Sequence, residues 1–114
     1  MAVQSPLSMR SWPSIAGFDW DEGNREKCAK HGVSSDEIEA ALCGPFALFR
    51  DHAHSRAEER FKAIGRTDAG RYVLIVFTLR QRSKGALVRP ISARYMHAKE
   101  IAYYEEEASR AAQR

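Results

Sequence analysis

Two runs of residues decide the fold of this 114-residue chain: Arg71-Tyr72-Val73-Leu74-Ile75-Val76-Phe77-Thr78-Leu79-Arg80 and Leu87-Val88-Arg89-Pro90-Ile91-Ser92-Ala93-Arg94. β-Branched, aromatic and aliphatic side chains dominate both runs, and such side chains favour strands. The segment between them, Gln81-Arg82-Ser83-Lys84-Gly85, is polar and contains glycine. Strand-like runs separated by such a segment predict a β-hairpin.

Two short helices are predicted upstream of this hairpin. The first covers about 21–30 and ends before Gly32, which can supply the left-handed residue common just past a helix. The second has the clearest start in the chain, because Ser34 and Glu37 occupy the two positions of a capping box. It ends at Gly44-Pro45, which cannot continue a helix.

The remaining segments predict further strands and a last helix. Residues 15–20 and 46–50 read as short strands, and residues 58–66 alternate with the period of two that is typical of a strand. A helix is predicted from Met96 to about Ala108, with one stripe expected to pack on the core, namely His97, Ile101, Tyr104 and Ala108. The order β-α-α-β-β-β-β-α predicts an α+β domain with an antiparallel sheet packed by helices.

The composition indicates a single soluble globular domain. Hydrophobic residues make up 44% of the chain and charged residues 29%, which are ordinary values for such a domain. Residues 1–14 are expected to form a flexible extension, residues 15–108 the domain and residues 109–114 a frayed tail. There is no signal-peptide core and no apolar run near the ~20 residues that span a membrane, so the expected location is the cytoplasm.

Cysteine and histidine residues give no sign of a metal site or another cofactor. Cys28 and Cys43 fall on predicted helices and are expected to be buried free thiols. His52 and His54 lie close to Asp51, but no third ligand has a suitable spacing, and no metal site is predicted.

The charges are unevenly distributed along the chain. Eighteen Lys and Arg residues against fifteen Asp and Glu residues give a net charge of +3 and an isoelectric point near 9.1. The acids cluster in 19–26 and 100–107, which leaves 50–94 distinctly basic. A basic sheet with acidic helices fits a nucleic-acid or phosphate ligand, and it fits a solvated strand face equally well.

Several short strings follow one another in the chain: Phe18-Asp19-Trp20-Asp21, Asn24, Lys30-His31-Gly32-Val33-Ser34, Glu59-Arg60, Ile64-Gly65, Gly70-Arg71, and Ile91-Ser92-Ala93-Arg94 with Glu100 and Tyr104. Their order and spacing resemble the BrnT toxin family. The resemblance implies a RelE-like fold and a type II toxin that arrests growth by cleaving RNA. It also implies inhibition by a BrnA-type antitoxin encoded beside it, with DNA contacted only through the antitoxin complex.

Three arginines are the candidates for holding the phosphate that such a reaction would need. Metal-independent RNA cleavage uses the 2′-hydroxyl of the substrate as nucleophile, and requires proton transfer and cationic donors around the phosphate. Arg60, Arg80 and Arg94 lie on the predicted strands, and a guanidinium group presents a rigid fork of donors suited to phosphate. The hypothesis is that Arg60 and Arg94 converge on one phosphate; the alternative is that each forms a surface ion pair.

Four further residues are candidates for proton transfer or substrate binding. His31 is the candidate proton carrier, because the charge of histidine changes near neutral pH; its alternative role is to cap the preceding helix. Lys30, Glu59 and Tyr104 are the candidate substrate-binding residues, and Glu59 is also a candidate base. Their alternatives are a solvated helix end, an ion pair with Arg60 and a core tyrosine, respectively.

Two other functions fit the same residues. One is a non-catalytic module that binds nucleic acid or a partner protein, for example in transcriptional autoregulation. The other is a small interaction protein whose arginines bind an acidic partner. Salt-sensitive binding without RNA cleavage would favour the binding module, and a neighbouring gene for a small helical DNA-binding protein would favour the toxin.

Overall fold

The computed structural model describes residues 12–51 and 57–113. Its elements are β1 (Ile15–Phe18), α1 (Glu22–Ala29), α2 (Ser35–Cys43), β2 (Ala47–Arg50), β3 (Arg60–Arg66), β4 (Tyr72–Arg82), β5 (Gly85–Tyr95) and α3 (Ala98–Ala112). This order is the predicted one, and the α+β class is confirmed. No helix in the described part of the chain combines the length and the apolar composition that crossing a membrane requires.

Within the described residues, five strands form one sheet in the order β1-β5-β4-β3-β2. Strands β2 to β5 pair as an antiparallel meander, as predicted. The first strand instead pairs in parallel with β5, so the prediction of a wholly antiparallel sheet is wrong. Its partner is distant in sequence, and a parallel pair requires a long crossover rather than a tight turn. Local sequence therefore does not specify the direction of β1.

Helices α1 and α2 cover one face of the sheet and form the core with it. The buried sheet residues alternate along each strand, as a period of two requires. The helical layer contributes Cys28, Val33, Ile38 and Ala41. Cys28 is a buried free thiol, as predicted, whereas Cys43 is exposed because it is the last residue of α2.

Both helix starts are fixed by side-chain caps. The predicted capping box of α2 is present, since the Glu37 amide donates to Ser34 Oγ at 3.1 Å and the Ser34 amide donates to Glu37 Oε1 at 3.0 Å. Helix α1 is capped by Asp21 together with Asn24. The Asn24 amide group also donates to the carbonyls of Asp19 and Pro90, each at 2.9 Å, and so joins α1 to β5.

Trp12 extends the core beyond the predicted domain boundary. Its ring packs edge-on against Phe61 and Phe77, with centroid distances of 5.0 and 6.2 Å. Trp12 therefore packs with the domain from within the predicted extension 1–14, in which Trp12-Pro13 is the expected anchor. Residues 1–11 of that predicted extension lie outside the described residues.

Helix α3 lies over the opposite face of the sheet, which we call the outer face. None of its fifteen described residues is buried, and His97 is exposed. The predicted packing of its His97–Ile101–Tyr104 stripe into the core is therefore wrong. The physical reason is that α1 and α2 already cover the apolar face of the sheet, which leaves α3 a face lined by charged and partly exposed side chains.

Candidate nucleic-acid interface

The outer face carries the cationic side chains of the three central strands. In β3, Arg60, Lys62 and Arg66 alternate with buried neighbours and thus face away from the core. The register carries this alternation across the sheet: Arg60 is opposite Thr78 and Thr78 is opposite Arg89, while Leu74 is opposite Arg94. Strands β3, β4 and β5 together contain seven basic residues and no acidic residue, and the seven share the outer face: Arg60, Lys62, Arg66, Arg80, Arg82, Arg89 and Arg94.

One group of cations surrounds Thr78 and is called the Arg60/Arg80 cluster. Arg60 is directly opposite Thr78, and Arg80 lies two residues further along β4, which places the two Cβ atoms roughly 7–8 Å apart. Arg80 Nη2 forms an ion pair with Glu58 Oε1 at 3.2 Å. Arg80 Nε is buried and lacks a hydrogen-bond partner among the described residues. A buried donor of this kind is suited to an anionic oxygen.

A second group lies under α3 and is called the Arg66/Arg94 cluster. Arg94 forms a bidentate pair with Glu100, with N···O distances of 2.7 and 2.8 Å. The hydrogen bonds from Arg94, followed by the one from the His97 amide, lower the pKa of Glu100 to about 2. Arg66 stacks over the ring of Tyr72 at 4.2 Å and lies 3.7 Å from Glu105. Carboxylates of α3 thus neutralise both arginines.

The two clusters occupy opposite ends of the same face. Arg60 and Arg94 are separated by four residues along the strands and by two strand spacings, which is roughly 17 Å between Cα atoms. Lys62, Val76 and Ser92 lie between them. Arg60 thus shares the face with Arg94, but its near neighbour is Arg80, and the arrangement is two clusters instead of the single pocket expected from the sequence.

Lys30 and His31 lie on the helical side of the sheet. Both are exposed and follow α1, and the carbonyl of the next residue, Gly32, accepts a hydrogen bond of 3.5 Å from the Tyr95 hydroxyl. Tyr95 belongs to the face covered by α1 and α2, since it pairs with buried Val73. The structure therefore places these two candidates on the side of the sheet opposite the arginines.

Glu59 directly precedes Arg60 and forms an ion pair with Arg50, whose guanidinium lies 5.9 Å from the centroid of the Phe61 ring. It borders a cleft of about 320 Å³ formed where β4 extends past the start of β3. The cleft is lined by Glu58, Glu59, Phe61, Thr78, Leu79 and Gln81. Glu59 thus precedes Arg60 in the chain and shares the cleft with Glu58, the ion-pair partner of Arg80.

Tyr104, the remaining candidate, lies on α3 and packs edge-on against Tyr72, with ring centroids 5.8 Å apart. Burial raises the pKa of its hydroxyl group, so that the hydroxyl remains protonated at neutral pH. Tyr104 therefore attaches α3 to the outer face at the Arg66/Arg94 cluster instead of packing in the core.

His52 and His54 lie outside the described residues. Among the residues that are described, no group of three or more His, Cys, Asp and Glu side chains is placed to hold a metal ion.

Sequence reasoning missed four cations of the outer face, namely Lys62, Arg66, Arg82 and Arg89. The first two follow from the alternation already visible in 58–66, because every second residue of a strand shares a face. Arg82 falls in the segment predicted as the hairpin turn, and Arg89 pairs with Asp21 at 2.8 Å and lies 3.7 Å from Asp19. These acids come from the β1–α1 connection, whose position against β5 depends on the tertiary fold.

The chain matches a known family over most of its length. A family model described as the ribonuclease toxin BrnT of type II toxin-antitoxin systems matches residues 20–100, well over half of the chain. The match includes α1, α2 and all of β2 to β5. No curated protein gives a match to the chain. The family resemblance seen in the sequence is confirmed, and the chain belongs to the BrnT family of ribonuclease toxins of type II toxin–antitoxin systems.

Proposed function

We propose that this protein is a metal-independent endoribonuclease that inhibits translation and growth by cleaving RNA bound on its outer face. The observation that carries the proposal is the set of seven basic and no acidic residues on β3, β4 and β5, all seven sharing that face. Cationic side chains on one surface supply the electrostatic attraction for a phosphate backbone. Membership of a ribonuclease toxin family supports RNA as that polyanion.

The scissile phosphate is assigned to the Arg60/Arg80 cluster. Cleavage begins when the 2′-hydroxyl of the substrate attacks the adjacent phosphorus and forms a crowded phosphorane with added negative charge. Two neighbouring guanidinium groups stabilise that charge through charge-assisted hydrogen bonds. The buried Nε of Arg80 supports this assignment, because a donor shielded from water interacts more strongly with an anion. The 5′-oxygen then leaves and takes up a proton, which yields a cyclic phosphate end.

Proton transfer is assigned to Glu59 in preference to His31. Glu59 directly precedes Arg60 and shares the cleft with Glu58, the ion-pair partner of Arg80, whereas His31 lies on the helical side of the sheet. A general base must come within hydrogen-bond reach of the proton that it removes. Separate Glu59→Gln and His31→Gln variants test this assignment, and a loss of cleavage in the histidine variant alone would reverse it.

The partners follow from the toxin class. Type II toxins are held inactive by a protein antitoxin, and we propose a BrnA-like antitoxin that covers the basic face, so that DNA is contacted only through the complex. We further propose that the protein acts in the cytoplasm and that its fold is related to that of RelE-like toxins. Co-purification of the product of the neighbouring gene, with loss of RNA cleavage on its addition, tests the partner.

The function is tested by following RNA cleavage in EDTA with purified protein. We expect Arg60→Ala and Arg80→Ala each to reduce the rate by about 10²- to 10³-fold, because each removes one donor that stabilises the transition state. Arg110→Ala is the matched control, since the described ion pairs of this arginine are with Glu106 and Glu107 of the same helix. Thermal unfolding of all three variants verifies that they are folded.

Three results would contradict the proposal. Cleavage that stops in EDTA would exclude the metal-independent reaction. Unchanged cleavage in both cluster variants would remove the Arg60/Arg80 cluster from the mechanism. Salt-sensitive binding of RNA that never yields shorter products would favour the non-catalytic binding module.

A further inference from the structure

We propose that Arg66 and Arg94 form a second phosphate-binding subsite, which α3 occupies in the free protein with Glu100 and Glu105. RNA that extends along the outer face would displace the helix and place its phosphates where these carboxylates lie. The inference rests on the proposed function, because it assumes that the outer face binds RNA. It adds that part of this face is covered by a displaceable segment of the same chain.

The contacts of α3 have the geometry of a bound anion. The two oxygens of Glu100 accept from both terminal nitrogens of Arg94, at 2.7 and 2.8 Å. Guanidinium groups bind carboxylate and phosphate with the same bidentate fork. Glu105 accepts from the Tyr72 hydroxyl at 3.0 Å and lies 3.7 Å from Arg66 Nη2. A phosphate group with one negative charge can therefore take the place of either carboxylate and leave the charge balance around the arginine unchanged.

The attachment of α3 to the sheet is weak enough for such an exchange. Helices α1 and α2 each have buried residues, whereas none of the described residues of α3 is buried. The side chains of Arg94 and Glu100 are each 36% exposed, and Tyr104 against Tyr72 is an edge-on contact. Ion pairs that are open to solvent contribute little to stability and are screened by salt. A polyanion that contacts several cations together can compete with them.

The subsite under α3 and the Arg60/Arg80 cluster lie on one continuous surface of the sheet. Lys62 lies between Arg60 and Arg66 on β3, so that three cations follow one line, at intervals of roughly 7 and 13 Å. A single strand held at the Arg60/Arg80 cluster needs to extend only a few nucleotides to reach the Arg66/Arg94 cluster. RNA binding and the docking of α3 should therefore oppose each other.

The decisive variant is Glu100→Gln, with Glu106→Gln as its matched control. In the wild-type protein the His97 amide donates to Glu100 Oε1 at 2.9 Å, and glutamine keeps an acceptor for this hydrogen bond. Glutamine lacks the negative charge that pairs with Arg94. Glu106 lies on the same helix and pairs with Arg110, so its substitution removes the same charge without touching the sheet. Binding is measured with a short 2′-O-methyl oligoribonucleotide, which cannot be cleaved through its 2′ position.

We expect Glu100→Gln to bind this probe about three- to tenfold more tightly than the wild-type protein, and Glu106→Gln less than about twofold more tightly. The gain should vanish in the double variant Glu100→Gln/Arg94→Ala, because the uncovered arginine is what the RNA contacts. Amide hydrogen exchange in α3 should accelerate when the wild-type protein binds the probe.

Each outcome decides between the two proposals. Equal gains in Glu100→Gln and Glu106→Gln would overturn the subsite and leave the proposed function intact, since a general charge effect would explain both. A gain that survives Arg94→Ala, or slower exchange in α3 on binding, would also overturn it. Failure of the wild-type protein to bind RNA even at low salt would refute the proposed function, and the subsite with it.

Discussion

Replacement of Arg94 by alanine should release Glu100 and loosen α3 without unfolding the domain. In the native protein, the hydrogen bonds from Arg94 and the His97 amide lower the pKa of Glu100 from 4.5 to about 2. A difference of about 2.5 units corresponds to at most ~3.4 kcal/mol. Because both side chains are more than one-third exposed, solvent screening reduces the contribution of the pair to about 1 kcal/mol.

The sign of the pH dependence follows from the lowered pKa. A carboxyl group with a depressed pKa in the folded state contributes its stability above its ordinary value of 4.5, and this contribution is lost as the pH falls through about 2. Docking of α3 in the wild-type protein should therefore be unchanged from pH 7 to pH 5 and weaken below pH 4. In Arg94→Ala, the pKa of Glu100 should rise most of the way back to 4.5.

The assay is a carboxyl-carbon NMR titration of Glu100, combined with amide hydrogen exchange in α3 and urea unfolding at pH 7. We expect faster exchange in α3 and a change of about 1 kcal/mol or less in the free energy of unfolding, because α3 buries none of its described residues. A wild-type pKa near 4.5 would refute the ion pair on which this reasoning depends. Loss of the whole fold in Arg94→Ala would refute the loose attachment of α3.

Two further substitutions test how the helical layer and the core support the outer face. Asn24→Ala should lower the free energy of unfolding, measured in urea, by about 2–3 kcal/mol, because it removes a helix cap and leaves the Asp19 and Pro90 carbonyls without their donor. The control is Glu26→Ala, an exposed position on the same helix, which should change this free energy by less than about 0.5 kcal/mol. Trp12→Ala should lower the free energy of unfolding by about 2 kcal/mol, because it removes a partly buried ring that packs against Phe61 and Phe77. A comparable decrease in Tyr103→Ala, at an exposed position, would show that the ring contacts do not explain the effect.

The geometry of the outer face also bears on how the toxin is controlled. The two arginine clusters lie on one surface, but only the Arg66/Arg94 cluster is covered by acids from α3. An antitoxin that binds this surface would contact the same cations that α3 partly covers. The Glu100→Gln and Glu106→Gln variants separate the contribution of α3 from that of an antitoxin, because they change charges on α3 and leave the sheet unchanged.

Local patterns in the sequence determined most of the secondary structure. The capping box of Ser34 and Glu37, the left-handed Gly32 with a φ of +83° and the alternation in β3 each depend on a few neighbouring residues, and all three are present. The order of motifs also identified the family, since many weak strings in the right order are specific together. Alternation alone further determines that the basic residues of one strand share a face.

The tertiary structure alone decided how these pieces meet. The parallel pairing of β1, the separation of Arg60 from Arg94 and the position of His31 behind the sheet all depend on the register between segments that are distant in sequence. The role of Arg94 depends on α3 as well, because an arginine at the end of a strand looks the same in sequence whether a phosphate or Glu100 accepts its hydrogen bonds. Pairing partners across a sheet are chosen by global packing, which no local pattern encodes.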